Sequence, residues 1–279
     1  MTDKLRVLFI GAHPDDPDSG GGGTAALYTR QGHTAKMVSV TNGAEGHYEG
    51  TGPALVQRRR KEAAAAGAAL GLEYVTLDNP DSNIELTLEL RNQMVKLIRE
   101  FGPDLIMTHR PNDYHPDHRV TSQVVQDAII ATVYVPSIVP EVPPLTKTPA
   151  MFYMWDQFTK PYPFVPDVVI STDDVVEQKV DALSCHVSQM FEAGPHFWGV
   201  ESPDDPAERR AWLRKRLEPR LSHVASLYRD KLIEFYGEEK GQQITYAEAF
   251  EVCEYGRLPM DIGPILSDDE RKRLFPFFD

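Results

Sequence analysis

RVLFIGAHPDDPDSGGGGTAALYTRQG, residues 6–32, runs an apolar strand-forming stretch into a turn crowded with histidine and acids, then into a helical pattern closed by Gly32. A strand feeding a helix is the first half of a β-α-β unit, and the alternation recurs downstream. AKMVSVT (Ala35 to Thr41) reads as a second strand, and the stretch from Pro53 to Leu70 as a helix ended by Gly71. EYVTL (Glu73 to Leu77) reads as a third strand, Leu88 to Phe101 as an amphipathic helix stopped by Gly102, and Asp104 to Thr108 as a fourth strand. Apolar strands alternating with helices predict an α/β fold whose mostly parallel sheet is covered by helices on both faces. In such sheets, ligands collect where strands end and loops begin, at the carboxyl edge. The first turn, Gly11 to Gly23, lies at that edge, and so does THRPNDYHPDH, Thr108 to His118.

The later chain is less regular. Between Pro136 and Pro166 eight prolines interleave with MFYMWDQF, which reads as a Pro-rich loop insertion flanking one strand. PDVVIS reads as a further strand, followed by a helix from about Thr172 to Phe191 with Ser171 or Thr172 as its cap, and by a charged helical pattern to about Tyr236. TYAEAFEVCEYG, Thr245 to Gly256, reads as a segment packed on the body. With no internal repeat and no low-complexity linker, residues 1–279 are expected to form one domain, a core of about 5–192 with a helical C-terminal extension of about 203–279.

Composition narrows the function. At 279 residues, 41% hydrophobic and 25% charged, the chain can bury one large core. A net charge of -13 argues against a nucleic-acid backbone or an anionic membrane as partner. The one basic run, Arg58 to Lys61, sits in an alanine-rich helical pattern and reads as a solvated face. Cys185 and Cys253, distant and in no CxxC pattern, exclude a disulfide framework, which suits a reducing compartment. The apolar stretch Val7 to Ile10 is too short for a signal or a span, and a cytoplasmic location is expected.

Two clusters carry the chemistry. His13 and Asp16 offer one nitrogen and one oxygen from a turn stiffened by Pro14, and His118 or His115 can add a second nitrogen from the fourth strand's edge. Three protein ligands with a position left to water is the pattern of a catalytic zinc site, which lowers the pKa of water toward ~7 and suits amide or ester hydrolysis. Adjacent carboxylates in a turn point apart, so Asp16 is assigned to the metal and Asp15 to the general base acting on the metal-bound water. In HPDH, Pro116 suits a first helical turn, which sets His115 and His118 on one side. His118 is then the ligand, and His115, protonated, the oxyanion stabiliser and acid, with Asp117 as its orienting partner. Asp113 and His109 lie close enough in sequence to touch the site, although His109 reads as an ordinary strand-end residue.

AHPDD, RRRKEAAAAGAALG, HPDH and KVDALSCHVSQ, in that order, resemble the PIG-L/LmbE-like N-acetylglucosaminyl deacetylases, and the match covers most of Arg6 to Gln189. That resemblance implies a zinc-dependent amidase on a Rossmann-like fold, with His13, Asp16 and His118 on the metal, Asp15 as base and His115 as electrophilic partner. It also implies that Arg59 and His186 face the substrate region. The family usually follows AHPDD with Glu; here Pro17 and Asp18 follow, which bears on the geometry around the ligands.

Competing readings lack their residues. GxGxxG does not follow the first strand, and GxxxxGK[ST], GxSxG and HExxH are absent, which disfavours nucleotide, dinucleotide, serine-hydrolase and zincin readings. The glycines Gly20 to Gly23 fit close backbone approach at a helix start. Tyr114 is taken as a substrate contact; Tyr153, Trp155 and Tyr162 read as core. His33, His47, His196 and His223 lack a matching acid cluster, and Cys185 reads as inert. The sequence thus predicts a metal-dependent hydrolase that removes an acetyl or other acyl group from an amino sugar or sugar conjugate. Zn2+ is the expected cofactor, His and Asp ligands also suiting Fe2+, and the partner is a small sugar substrate with homo-oligomers allowed. The alternatives are a non-catalytic carbohydrate-binding protein with a structural metal, or hydrolysis of an ester or thiol conjugate.

Overall fold

The computed structural model describes residues 4–256 and 266–278. Its first half alternates as read: β1 (Arg6–Gly11), α1 (Asp16–Arg30), β2 (Thr34–Thr41), α2 (Pro53–Leu70), β3 (Glu73–Asn79), α3 (Leu88–Phe101), β4 (Leu105–Thr108) and α4 (Pro116–Tyr134). Then come β5 (Ala150–Met154), β6 (Val168–Ser171), α5 (Val176–Ser184), α6 (Gly194–Trp198), α7 (Pro206–Leu227), α8 (Arg229–Tyr236), α9 (Glu238–Gln243), β7 (Ala247–Val252) and α10 (Asp268–Leu274). The strands form one sheet in the order β3-β2-β1-β4-β5-β7-β6. β1 to β5 pair in parallel, whereas β7 runs antiparallel to both its neighbours. This is the α/β, Rossmann-like, mostly parallel sheet expected from the sequence.

Helix ends follow local chemistry. The Thr87 side chain accepts from Leu90 N–H to start α3, and Gly102 at φ 61 stops it in the left-handed conformation. Alternate β1 residues go to opposite faces of the sheet. Val7 and Phe9 join a core shared with α1, α2 and α5, and Leu8 and Ile10 join one shared with α3 and α4.

The glycine run in α1 has a packing role. A Cβ on Gly21 would stand 2.6 Å from the Phe9 ring and one on Gly23 2.6 Å from Thr172, so glycine lets the helix press onto the sheet. At Gly21 the helix departs from helical angles (φ -137, ψ 15). Nearby, Gly23 and Thr24 N–H donate to the Glu248 carboxylate at 2.9 and 2.7 Å. Glu248 belongs to β7, and Lys179 Nζ, 2.6 Å away, meets its charge.

Two departures from the sequence reading have physical causes. The helix expected over about Thr172 to Phe191 is interrupted between α5 and the π-helical turn Ser188–Ala193, because His186 turns inward to Asp18 while Ser188 N–H and Oγ donate to Glu62 at 3.0 and 2.6 Å. Thr245 to Gly256, expected to pack on the body, contributes β7 to the sheet itself. The C-terminal extension is otherwise helical from α7 to α9 and in α10. Among the described residues no helix is long and apolar enough to cross a membrane.

Candidate active site

After β1 the chain proceeds outward to β2 and β3, then returns to place β4 on the other flank of β1. The loops leaving β1 and β4 therefore diverge, and a crevice opens between them. His13, Asp15 and Asp16 line it from the β1 side. His109, Asp113, Tyr114, His115 and His118 reach it from the β4 side. A Cβ on Gly11 would stand 2.6 Å from both Asp16 Cβ and Pro17 Cδ, so the turn can fold back tightly over β1 only with glycine there.

Three donor atoms converge in this crevice. His13 Nδ1 is 3.2 Å from Asp16 Oδ2, His118 Nε2 is 3.3 Å from Asp16 Oδ2, and the two imidazole nitrogens are 3.3 Å apart. Ligands about 2.0–2.1 Å from a tetrahedral zinc ion are separated by about 3.3 Å, so this donor set fits a divalent cation. Other groups with donor atoms within 4.8 Å of one another are His13, His115 and His118; Asp16, His109 and His118; and His13, Asp81 and Asp117. His109 Nε2 already accepts the Ala12 N–H at 3.0 Å, and Asp81 and Asp117 face the opposite nitrogen of His13, so His13, Asp16 and His118 are the better triad. Their side chains keep some solvent access, 12% for His13 and 18% for Asp16, unlike an enclosed structural site.

Carboxylates fix the imidazoles from behind. His13 Nε2 lies 3.3 Å from Asp117 Oδ2 and 3.4 Å from Asp81 Oδ1, and His118 Nδ1 lies 3.0 Å from Asp113 Oδ2. Such partners set tautomer and ring orientation. Ser82, in the left-handed region at φ 61, donates its N–H to Asp117 Oδ2 at 2.7 Å. His109 stacks on the His118 ring at 4.0 Å. The Asp117 carboxylate thus serves His13 rather than His115, which it meets through its backbone: Asp117 N–H donates to His115 Nδ1 at 3.2 Å.

Electrostatics follow from this crowding. Burial opposes the charge on His118, but Asp16 and Asp113 outweigh it and raise its pKa to about 9. His13 is likewise raised well above its ordinary value, burial being overridden by Asp16, Asp117 and Asp81. Asp16 goes the other way; burial would raise it, yet His118 and His13 hold it well below the usual carboxylate range. Burial pushes Asp15 up against the pull of Arg59. Burial, then His13 and His118, push His115 down, which disfavours the charged ring read from the sequence. With Nδ1 accepting, its proton sits on Nε2.

A pH dependence of metal binding follows. Below pH 9 the His118 nitrogen that faces the other two donors carries a proton that a cation must displace. Zinc affinity is therefore expected to rise about tenfold or more per pH unit from pH 6.5 to 8.5, with proton release visible by calorimetry in buffers of different ionisation enthalpy. A flat profile would contradict the assignment of His118.

The remaining expected residues divide. Arg59 is buried and donates from Nη2 to Asp15 Oδ1 at 3.1 Å and from Nη1 to Gly43 O at 3.2 Å, so it holds Asp15 in place. His186, expected to face the substrate region, is fully enclosed, its Nε2 2.7 Å from Asp18 Oδ2. That enclosed imidazole gives the Asp18 carboxylate of α1 its partner. Tyr114 is exposed and sets its ring edge-on to His115 and His118 at 5.7 and 5.6 Å, with Phe158 5.9 Å away. The Pro-rich segment reaches the site through Arg110. This buried guanidinium donates to Asp156 Oδ1, Phe158 O and Tyr162 O at 2.9, 3.2 and 3.1 Å, so it pins the loop that carries Phe158.

Sequence reasoning missed Asp81. Its carboxyl sits near a pKa of about 2, because His13, the Glu45 amide and Arg59 together outweigh its burial. The available signal was NPDSN, an acid-bearing turn after the third strand at the same sheet edge.

Residues 8–129 match the family model described as PIG-L: GlcNAc-PI de-N-acetylase. The diacetylchitobiose deacetylase of Thermococcus kodakarensis is 28% identical over 208 residues, covering 71% of this chain and 75% of that one. Among solved structures, N,N'-diacetylchitobiose deacetylase from Pyrococcus horikoshii superposes with a TM-score of 0.69 at 24% identity, over 91% of this chain and 85% of that one. GalB, a 4-carboxy-2-hydroxymuconate hydratase from Pseudomonas putida, superposes with a TM-score of 0.68 at 20% identity, over 93% and 100% of the two chains. The same fold thus carries a hydratase, and the choice of activity rests on the site.

Proposed function

We propose that the chain, whose residues 8–129 match the PIG-L family model, is a metal-dependent hydrolase that removes an N-acetyl group from an amino sugar or sugar conjugate. His13, Asp16 and His118 hold the cation, Zn2+ or Fe2+. A divalent cation at this point would polarise the amide carbonyl and make water a better nucleophile near neutral pH. The observation that carries the reading is the set of three mutual separations of 3.2–3.3 Å next to a carboxylate, Asp15, that no imidazole engages and that Arg59 fixes.

In this reading Asp15 accepts the proton of the attacking water as the carbon–oxygen bond forms. Its raised pKa suits a group that takes up that proton and later returns it. His115, with its proton on Nε2, donates a hydrogen bond to the developing oxyanion. Asp15 then delivers its proton to the sugar nitrogen, the carbon–nitrogen bond breaks, and acetate and the free amine leave. Tyr114 and Phe158 form the wall against which the sugar lies, and the described residues act as one domain, since β7 enters the same sheet that bears the site.

The experiment is metal analysis of the purified chain followed by acetate release from N-acetylglucosamine and its glycosides. Release is expected to vanish on dialysis against a chelator and to return with Zn2+ or Fe2+. Undiminished release from metal-stripped protein would overturn the reading.

A further inference from the structure

α1 carries a metal ligand on its first residue and a break in its middle. Asp16 opens the helix, and at Gly21, five residues on, the chain leaves helical angles (φ -137, ψ 15). In a regular helix Gly23 N–H would donate to Ser19 O, and Thr24 N–H to Gly20 O. Here an ion pair stands at the break. Glu248, from β7, accepts from Gly23 and Thr24 N–H through its two carboxylate oxygens at 2.9 and 2.7 Å. Lys179, from α5, donates from Nζ to Ser19 O at 2.8 Å and to Glu248 Oε1 at 2.6 Å. The acid thus takes leading amides of the second half, the amine takes a trailing carbonyl of the first, and each charge meets the other. Glycine makes room for them: a Cβ on Gly22 would stand 3.4 Å from Lys179 Cγ, and one on Gly23 3.1 Å from Glu248 Oε1.

Both charged side chains are only 5% exposed. Leu217, Leu221 and Val224 of α7, with Leu183 and Trp155, wall a cavity of about 40 Å³ against them, room for water and not for a sugar. A buried ion pair adds little net stability, because desolvation offsets the attraction. Its placement matters more. From Gly21 to Asp16 is about 7.5 Å of helix, so a rotation of about 5° at the break moves Asp16 by about 0.7 Å. Metal–ligand distances tolerate about 0.2 Å. His186 holds Asp18 on the same turn at 2.7 Å, but one attachment leaves the turn free to rotate about it. A helix end that swings at Gly21 cannot keep Asp16 Oδ2 at 3.2 and 3.3 Å from His13 Nδ1 and His118 Nε2.

On the reading of His13, Asp16 and His118 as metal ligands, we propose that Lys179 and Glu248 are positioning residues of the metal site, clamping both sides of the Gly21 break so that the helix end presents Asp16 to the cation. The C-terminal extension, which supplies Glu248 and the α7 wall, then serves the site without touching the metal. The test loads Co2+, whose visible absorption reports ligand geometry, into wild type, Lys179→Met/Glu248→Gln and Ile98→Ala. The double variant leaves neither charge orphaned. Ile98→Ala lowers stability from the core on the other face of the sheet, which includes no residue of α1. Below the melting temperature of each, the double variant should bind Co2+ about tenfold more weakly, the lower end for residues that orient ligands, and with altered visible bands. Ile98→Ala should keep wild-type affinity and bands. Wild-type affinity and bands in the double variant overturn the proposal, and so does an equal loss in Ile98→Ala, because the effect would then be one of stability. Should the double variant not fold, Glu248→Asp replaces it under the same expectations: Lys179 keeps its counter-charge while the carboxylate draws back from the two amides by one methylene. Should wild type bind no Co2+, the metal reading fails separately, and amide exchange by mass spectrometry judges the clamp. Faster exchange over residues 16–24 in the clamp variant than in Ile98→Ala supports it; equal exchange there sinks it.

Discussion

Asp15→Asn is expected to lower acetate release by about 10²–10⁴-fold, the range for losing a positioned general base, while metal content and melting temperature stay at wild-type values. Asparagine is chosen because its amide oxygen can still accept the 3.1 Å hydrogen bond from Arg59, so the buried guanidinium keeps that partner. Alanine would remove the base and also orphan a charge, confusing two effects. With the ligands intact, the loss should fall on kcat more than on KM. Near-wild-type turnover with stoichiometric metal would mean that another group takes the proton from water.

His118→Ala should act on a different quantity. It deletes one corner of the 3.2–3.3 Å triangle, and metal affinity should fall by more than the roughly 10–100-fold typical of removing a residue that only orients a ligand. Asp117→Asn supplies that comparison, since Asp117 touches His13 on the nitrogen facing away from Asp16. His109→Ala removes the ring stacked behind His118 and a hydrogen bond to Ala12 N–H, so it should weaken metal binding less than His118→Ala does. Metal per chain after exhaustive dialysis and competition with a chromophoric chelator rank the variants. A His118→Ala chain that holds metal as tightly as wild type would move the ligand role to His115.

How legible all this was depended on where the information sits. α3 was readable because its apolar period and its Gly102 stop are local. The His13 and His118 segments were readable for the same reason: AHPDD follows an apolar run directly, and HPDH sets two histidines about a proline and an acid in the loop and helix start after another. β7 was not, because its small residues Ala247 and Ala249 give weak alternation and its partners β5 and β6 lie far back in the chain. The break after α5 depended on Glu62 and Asp18, remote acids that draw Ser188 and His186 inward. Asp81 escaped because its role exists only once β3 lies in the same sheet as β1, with β2 between them. His186 was misplaced because a histidine enclosed with an acid and one turned to solvent look alike in a string of letters.

The carboxylate of Glu248 grips backbone amides 225 and 224 residues earlier in the chain. During synthesis, the helix bearing Asp16 therefore waits, its glycine kink unanswered, until residue 248 has left the ribosome. Contacts of such separation are formed late and slowly. A truncated product ending before that strand would keep His13, Asp15, Asp16 and His118 yet have an unfinished sheet, and should be more readily cleaved by proteases than the longer chain.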